Sequence, residues 1–249
     1  MNGSGRTKSD GPLRIVVLQH AGWEGPGTFG RLLDESGAAV VPVRVDKGEQ
    51  PPALRSVDGI LAMGGPMSVN DDVPWIAPEK EYIRRAVGAG VPFFGVCLGA
   101  QLLAASLGAR VEPARAHYGL HPVDMAPGSF TDPLFGGLPR SVPVFQWHGE
   151  NFGLPPGAVR LAGSPGCPNE AMRVGESAYG IQFHLEVDEA LLGEWLAVPR
   201  CREELAERCG PDAPEAVTAG LAVGALRVQR CARRVWGGWM DLVAARGGV

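Results

Sequence analysis

Four short runs are built almost wholly from Val, Ile, Leu, Ala, Gly and Phe: Leu13 to Leu18, Ala39 to Val45, Gly59 to Met63 and Val91 to Val96. A strand that is apolar on both faces can leave neither to water, so such runs imply a parallel sheet covered on both sides. Three of the runs lead into helical spacing, at Thr28 to Ser36, Pro78 to Ala89 and Leu98 to Leu107, with Glu81 and Arg85 four residues apart in the second. The alternation predicts βαβ units and an α/β fold with a mostly parallel central sheet and helices on both faces. From Arg110 to Phe183, Pro and Gly turns predict shorter strands and an antiparallel ribbon beside that sheet. After Val187 the pattern is helical, with helices expected at Asp188 to Leu196, Cys201 to Cys209 and Ala213 to Ala245. Residues 1–12 read as a disordered lead, 13–190 as the main domain and 191–249 as a C-terminal helical extension. An apolar stripe of Trp236, Trp239, Met240 and Val243 is expected to dock that extension.

Composition excludes several partners. Lys and Arg number 23 against 27 Asp and Glu, a net charge of −4, which makes no electrostatic case for nucleic acid or an anionic membrane. No apolar run approaches the roughly 20 residues that span a bilayer, and the polar start has no apolar core of a secretory signal. The five cysteines, Cys97, Cys167, Cys201, Cys209 and Cys231, include no Cys-x-x-Cys, which argues against a disulfide framework or a zinc knuckle. Reduced thiols in a cytoplasmic setting are expected. His117 and His121 have no cysteine or acid near them in sequence, so no metal site is expected.

The chemistry centres on Phe93-Phe94-Gly95-Val96-Cys97-Leu98-Gly99-Ala100-Gln101. A buried strand ends in Gly-x-Cys-x-Gly and a helix follows at once, the arrangement of a nucleophile elbow. So tight a turn strains its central residue and lifts the sulfur off the sheet, beside a helix N-terminus that favours thiolate. A thiolate needs a base, and the base an orienting group. The run Tyr179 to Glu186 supplies both if it is a strand ending in His184-Leu185-Glu186, because residues two apart on an extended segment point the same way. Cys97, His184 and Glu186 are therefore the candidate catalytic residues. Attack on an amide also creates an oxyanion that wants two N–H donors. Leu98, after the nucleophile, offers one, and Gly65 of Met63-Gly64-Gly65-Pro66-Met67 offers the other. Cys167, Cys201, Cys209 and Cys231 have neither elbow nor base.

Together these stretches resemble the class I (triad) glutamine amidotransferases, especially free-standing relatives of the amidotransferase half of GMP synthetase. The resemblance extends to His20 with Glu24-Gly25-Pro26-Gly27 and to Gln146-Trp147-His148-Gly149-Glu150, and runs from about Leu13 to Glu189. It implies a flavodoxin-like fold, a γ-glutamyl thioester on Cys97, no cofactor, and glutamine held by Gln101, Trp147, His148 and Gly149. The family's proline between His and Glu is Leu185 here, and the segment Ala116-His117-Tyr118-Gly119-Leu120-His121 differs from its usual Glu-x-Gly-Trp stretch. The chain has neither a Ser-Gly-Gly-x-Asp-Ser nor a Gly-x-x-x-x-Gly-Lys phosphate loop. A synthetase partner in trans is therefore one expectation. A free-standing γ-glutamyl hydrolase or peptidase, a specialised-metabolism relative with another substrate, and a non-catalytic binding module are the others.

Overall fold

The apolar runs form strands close to their expected bounds. The computed structural model describes residues 11–247, so the first ten residues of the expected lead lie outside the described residues. Among the described residues nine strands form one sheet: β1 (Arg14–Gln19), β2 (Ala39–Arg44), β3 (Gly59–Ala62), β4 (Phe93–Val96), β5 (Val111–Met125), β6 (Ser141–Phe152), β7 (Val159–Ser164), β8 (Cys167–Val174) and β9 (Ala178–Ile181). Their spatial order is β2-β1-β3-β4-β9-β8-β7-β5-β6. The first five in that order are parallel, and β8, β7, β5 and β6 continue the sheet antiparallel.

Six helices accompany them: α1 (Gly27–Glu35), α2 (Ile76–Gly88), α3 (Leu98–Ser106), α4 (Glu189–Ala197), α5 (Pro199–Cys209) and α6 (Ala213–Gly247). No helix among the described residues is long and apolar enough to cross a membrane. Three expectations need correction. The ribbon strands are not short, since β5 runs 15 residues and β6 12. The strand before His184 ends at Ile181, and His184 joins the sheet only through an isolated bridge to Phe145. In α2, Glu81 pairs with Arg84 at 2.7 Å, one helical turn on at the i+3 position, rather than with Arg85.

Alternate residues of each parallel strand enter different layers. Ile15, Val17, Leu61 and Phe94 pack with Phe29 and Leu33 of α1 and Trp236, Trp239 and Val243 of α6. Val16, Leu18, Ile60 and Phe93 pack with Ile76 and Ile83 of α2 and Leu102 and Leu103 of α3. Helix α6 lies flush on its face. Phe29 and Trp236 stack with ring centroids 4.7 Å apart, and a Cβ on Gly59 would stand 2.9 Å from Val243 and 3.1 Å from Trp239. The same helix reaches the ribbon, where Gly224 leaves room for Leu120 of β5. Trp239 is the largest fully buried side chain of this layer. Trp239→Ala is expected to lower unfolding stability by about 3–5 kcal/mol, read as a lower urea midpoint with an unchanged denaturant slope.

Candidate active site

In a sheet of this order the carboxyl ends of the parallel strands open onto one crevice. Four of those ends lead to residues that meet at the crevice. β1 leads to His20 and Glu24, β3 to the Gly64-Gly65 turn, β4 to Cys97, and β9 to Gln182, His184 and Glu186. Between them and β6 lies a cleft of about 370 Å³.

Cys97 is the elbow. Its φ of 50° and ψ of −106° make it the one non-glycine residue with positive φ among the described residues. The neighbouring glycines explain how that conformation is held. A Cβ at Gly95 would meet the Gly99 carbonyl at 2.5 Å, and a Cβ at Gly99 would meet the Ala62 oxygen at 2.3 Å. Helix α3 therefore rests directly on the backbone of β3 and β4. The Gly99 N–H donates to Met63 O at 3.1 Å, tying the elbow to the turn that carries Gly65. At that turn a Cβ on Gly65 would lie 2.6 Å from the Leu98 side chain, so the two residues pack against each other.

His184 and Glu186 are both buried, with Nδ1 and Oε1 2.6 Å apart. The two-residue spacing thus brings them together although the regular strand has ended. Burial pulls the imidazolium down, but Glu186 and Cys97 outweigh it and hold the His184 pKa well above 6.5. Nε2 of His184 has no hydrogen-bond partner, and the Cys97 thiol is near enough to act on the ring. Trp195 of α4 covers that ring edge-on, with centroids 5.0 Å apart.

Gly65, Cys97, Gln101, Trp147, His148, Gly149 and His184 all line the cleft, while Leu98 and Glu186 are buried behind it. Gln101 donates to Gln182 Oε1 at 3.3 Å, and Gln182 donates to the Cys97 sulfur at 3.6 Å. The Trp147 carbonyl stands 3.9 Å from that sulfur. The side chain of His148 points into the ribbon. Burial pushes its pKa down to about 3, and its Nδ1–H donates to Glu150 O at 3.1 Å.

Sequence reasoning assigns no role to several residues found here. Buried His20 bridges Glu79 at 2.9 Å and Gly64 O at 3.1 Å, bracing the glycine turn. Desolvation opposes its charge, but Glu79 leaves its pKa raised. Glu24 lines the cleft next to His184, and burial lifts its carboxyl to about 7 against the pull of His184. Only the stretch Glu24-Gly25-Pro26-Gly27 hinted at it. Trp195, Cys201 and Glu204 reach the cleft from the helical segment and carry no local signal. Burial raises the thiols of Cys167, to about 12, and Cys201, to about 11, so neither is a ready thiolate.

Comparison with known proteins settles the family. The model of the family Glutamine amidotransferase class-I matches residues 30–195. The chain belongs to that family. Class I glutamine amidotransferases are generally cysteine-dependent enzymes. Among its relatives is the glutamine amidotransferase-like protein YfeJ of Salmonella typhimurium, 30% identical over 206 residues, 80% of this chain and 85% of that protein. A GMP synthase (glutamine-hydrolyzing) of Thermomicrobium roseum is 39% identical over 141 residues, covering 55% of this chain and a quarter, 25%, of that protein. The solved glutamine amido transferase of Methylobacillus flagellatus superposes with a TM-score of 0.80 at 30% identity, covering 93% of this chain and 94% of that one.

The glycine contacts make the elbow testable without touching the sulfur. Gly99→Ala, whose methyl would overlap the Ala62 carbonyl, is expected to push α3 outward. Stability should fall by about 1–3 kcal/mol, and Cys97 alkylation by iodoacetamide should change in rate while that of exposed Cys209 does not.

Proposed function

We propose that the chain hydrolyses the side-chain amide of glutamine through a γ-glutamyl thioester on Cys97. The observation that carries this reading is the buried His184–Glu186 contact at 2.6 Å, with the opposite ring nitrogen unpartnered beside a strained cysteine. Glu186 holds the proton on Nδ1, so Nε2 is the atom that exchanges a proton with Cys97. The thiolate attacks the amide carbon, and the carbonyl oxygen takes the negative charge. The N–H of Leu98, which at the first helical position has no intrahelical acceptor, and that of Gly65 are the donors to this oxyanion. Imidazolium then protonates the departing nitrogen, the C–N bond breaks, and ammonia leaves with Cys97 acylated. His184 next takes a proton from water, which attacks the thioester and releases glutamate and the thiol.

Gln101, Trp147, His148 and Gly149 form the wall against which the amino-acid end would lie, His148 through its backbone because its ring is turned away. Likeness to a quarter of a GMP synthase (glutamine-hydrolyzing) supports delivery of the ammonia to an acceptor activated by a synthetase partner.

A second reading, a γ-glutamyl hydrolase, is favoured by the charge of the cleft. Its lining carries Glu24, Asp71, Glu150 and Glu204 and, among the described residues, no lysine or arginine. Such a rim suits a γ-glutamyl compound whose leaving group is a cationic amine.

Glutamate release from glutamine, beside a panel of γ-glutamyl amines and peptides, separates the two. Hydrolysis of a γ-glutamyl amine at kcat/KM on the order of 10⁴ M⁻¹s⁻¹ with free glutamine untouched would replace the first reading by the second. Cys97→Ser should abolish turnover of either substrate, and a glutamine-mimicking electrophile should label Cys97 ahead of the other four thiols.

Glu186→Gln should cost less than His184→Ala, since one loses orientation and the other the base. The sign of the pH effect follows from the raised His184 pKa. Activity that needs the imidazolium is present below that pKa and lost as pH rises through it. The alkaline limb of kcat/KM should therefore lie above pH 6.5 and move to lower pH in Glu186→Gln. A profile that does not move would mean another carboxylate orients His184.

A further inference from the structure

Behind the Trp147–Gly149 wall the ribbon closes around a second group of polar side chains. His117 on β5 and His148 on β6 are register partners, and Cys167 and Glu170 lie on β8. One ligand atom from each falls within 4.8 Å of the other three, and all four residues are buried. The absence of a metal site expected from sequence rested on His117 and His121 having no cysteine or acid nearby. Folding brings both to His117 from some fifty positions along the chain.

The group is under-bonded for a buried polar cluster. His117 Nδ1, His148 Nε2 and Glu170 Oε2 are buried without hydrogen-bond partners. Nine-tenths of His117, and more of His148 and Glu170, is shielded from water, so leaving them unsatisfied is costly. They do not satisfy one another, since Nε2 of His148 and Oε2 of Glu170 are 3.9 Å apart, beyond hydrogen-bonding range. The remaining atoms are spoken for. Glu170 Oε1 accepts from Ser164 Oγ at 2.5 Å and Gln146 Nε2 at 3.2 Å, and His148 Nδ1–H donates to Glu150 O at 3.1 Å. That last bond leaves the lone pair of His148 on Nε2, aimed into the cluster, as an outer-shell carbonyl does for a metal-bound histidine.

We propose that His117, His148, Cys167 and Glu170 form a structural site for a divalent zinc-like cation. Two imidazoles, a thiolate and a carboxylate match the tetrahedral preference of zinc, and sulfur with nitrogen disfavours magnesium and calcium. Ligands at zinc distances stand roughly 3.3–3.7 Å apart, so the four atoms must draw in by about 1 Å, which side-chain rotation supplies. On binding, Cys167 releases its thiol proton to solvent and exchanges a long contact to Arg115 O, 3.7 Å, for the metal. All four positions are filled by protein, so the ion holds the wall at Trp147–Gly149 and takes no substrate.

The test uses the full chain. Metal content of the purified protein is measured, and chelator-treated protein is titrated with Co²⁺ followed by absorption and thermal melting. One equivalent should bind, raise the Tm and give a near-ultraviolet thiolate-to-cobalt band with intense tetrahedral visible bands. Loss of even an outer-shell partner costs a metal site about 10–100-fold, so Cys167→Ser and His117→Gln should each weaken binding by at least ~100-fold. Cys167→Ser should also remove the near-ultraviolet band, while Cys97→Ser should leave the spectrum intact. Absence of stoichiometric binding overturns the site. So does a cobalt spectrum that survives both Cys167→Ser and His117→Gln, or one that disappears with Cys97→Ser. Should Cys167→Ser fail to fold, His117→Gln, altered at the least buried of the four ligands, decides by the same affinity criterion.

Discussion

The cleft depends on how close helix α3 comes to the sheet. With no side chain at Gly95 or Gly99, the helix backbone meets the backbone of β3 and β4 directly. Seated further out, it would let Cys97 relax from its positive φ and would separate Leu98 from Gly65. Holding a residue in such a conformation costs about 1–3 kcal/mol. Leu98, Leu102 and Leu103, all fully buried on the same helix, each contribute about 1.5–3 kcal/mol by leaving water. The packing outweighs the strain, so the elbow is held by apolar contacts that take no part in chemistry.

What the sequence makes legible is what local chemistry governs. Strand and helix positions follow from runs of Val, Ile and Leu and from glycines placed where backbones meet. The pairing of His184 with Glu186 is legible in their spacing of two, although β9 ends at Ile181 and the backbone that carries them bends. Contacts across long stretches of chain leave no such trace. His20 reaches Glu79 because β1 lies beside β3 and α2 packs behind them. Trp195 covers His184 because α4 folds back over the cleft. Cys167 and Glu170 on β8 meet His117 and His148 although β7 lies between β8 and β5 in the sheet, an approach that spacing along the chain does not encode.

The carboxyl end of the parallel strands and the ribbon beside it gather ionisable groups where water is scarce. Two buried carboxylates, Glu79 and Glu186, each face an imidazole at hydrogen-bond distance. Glu24 and Glu170 have no cationic side chain that close among the described residues, and burial raises the pKa of both. Hydrophobic residues of similar volume are often as stabilising as buried charges or more so. Groups kept at that cost mark sites of function more often than of stability.

Helix α6 follows every strand of the sheet in chain order, yet it covers the face formed by β1, β3 and β4 and reaches across to β5. During synthesis the part of that face that α1 does not cover therefore stays bare until α6 has emerged. Strand β9 likewise must find β4 across the whole ribbon, residue 93 pairing with residue 178. A chain of this topology is slow to complete its core and exposes Phe29, Phe94 and Ile15 to intermolecular contact meanwhile. Its vulnerability in the cell lies in the interval before α6 docks, when Trp236 and Trp239 have not yet closed the sheet.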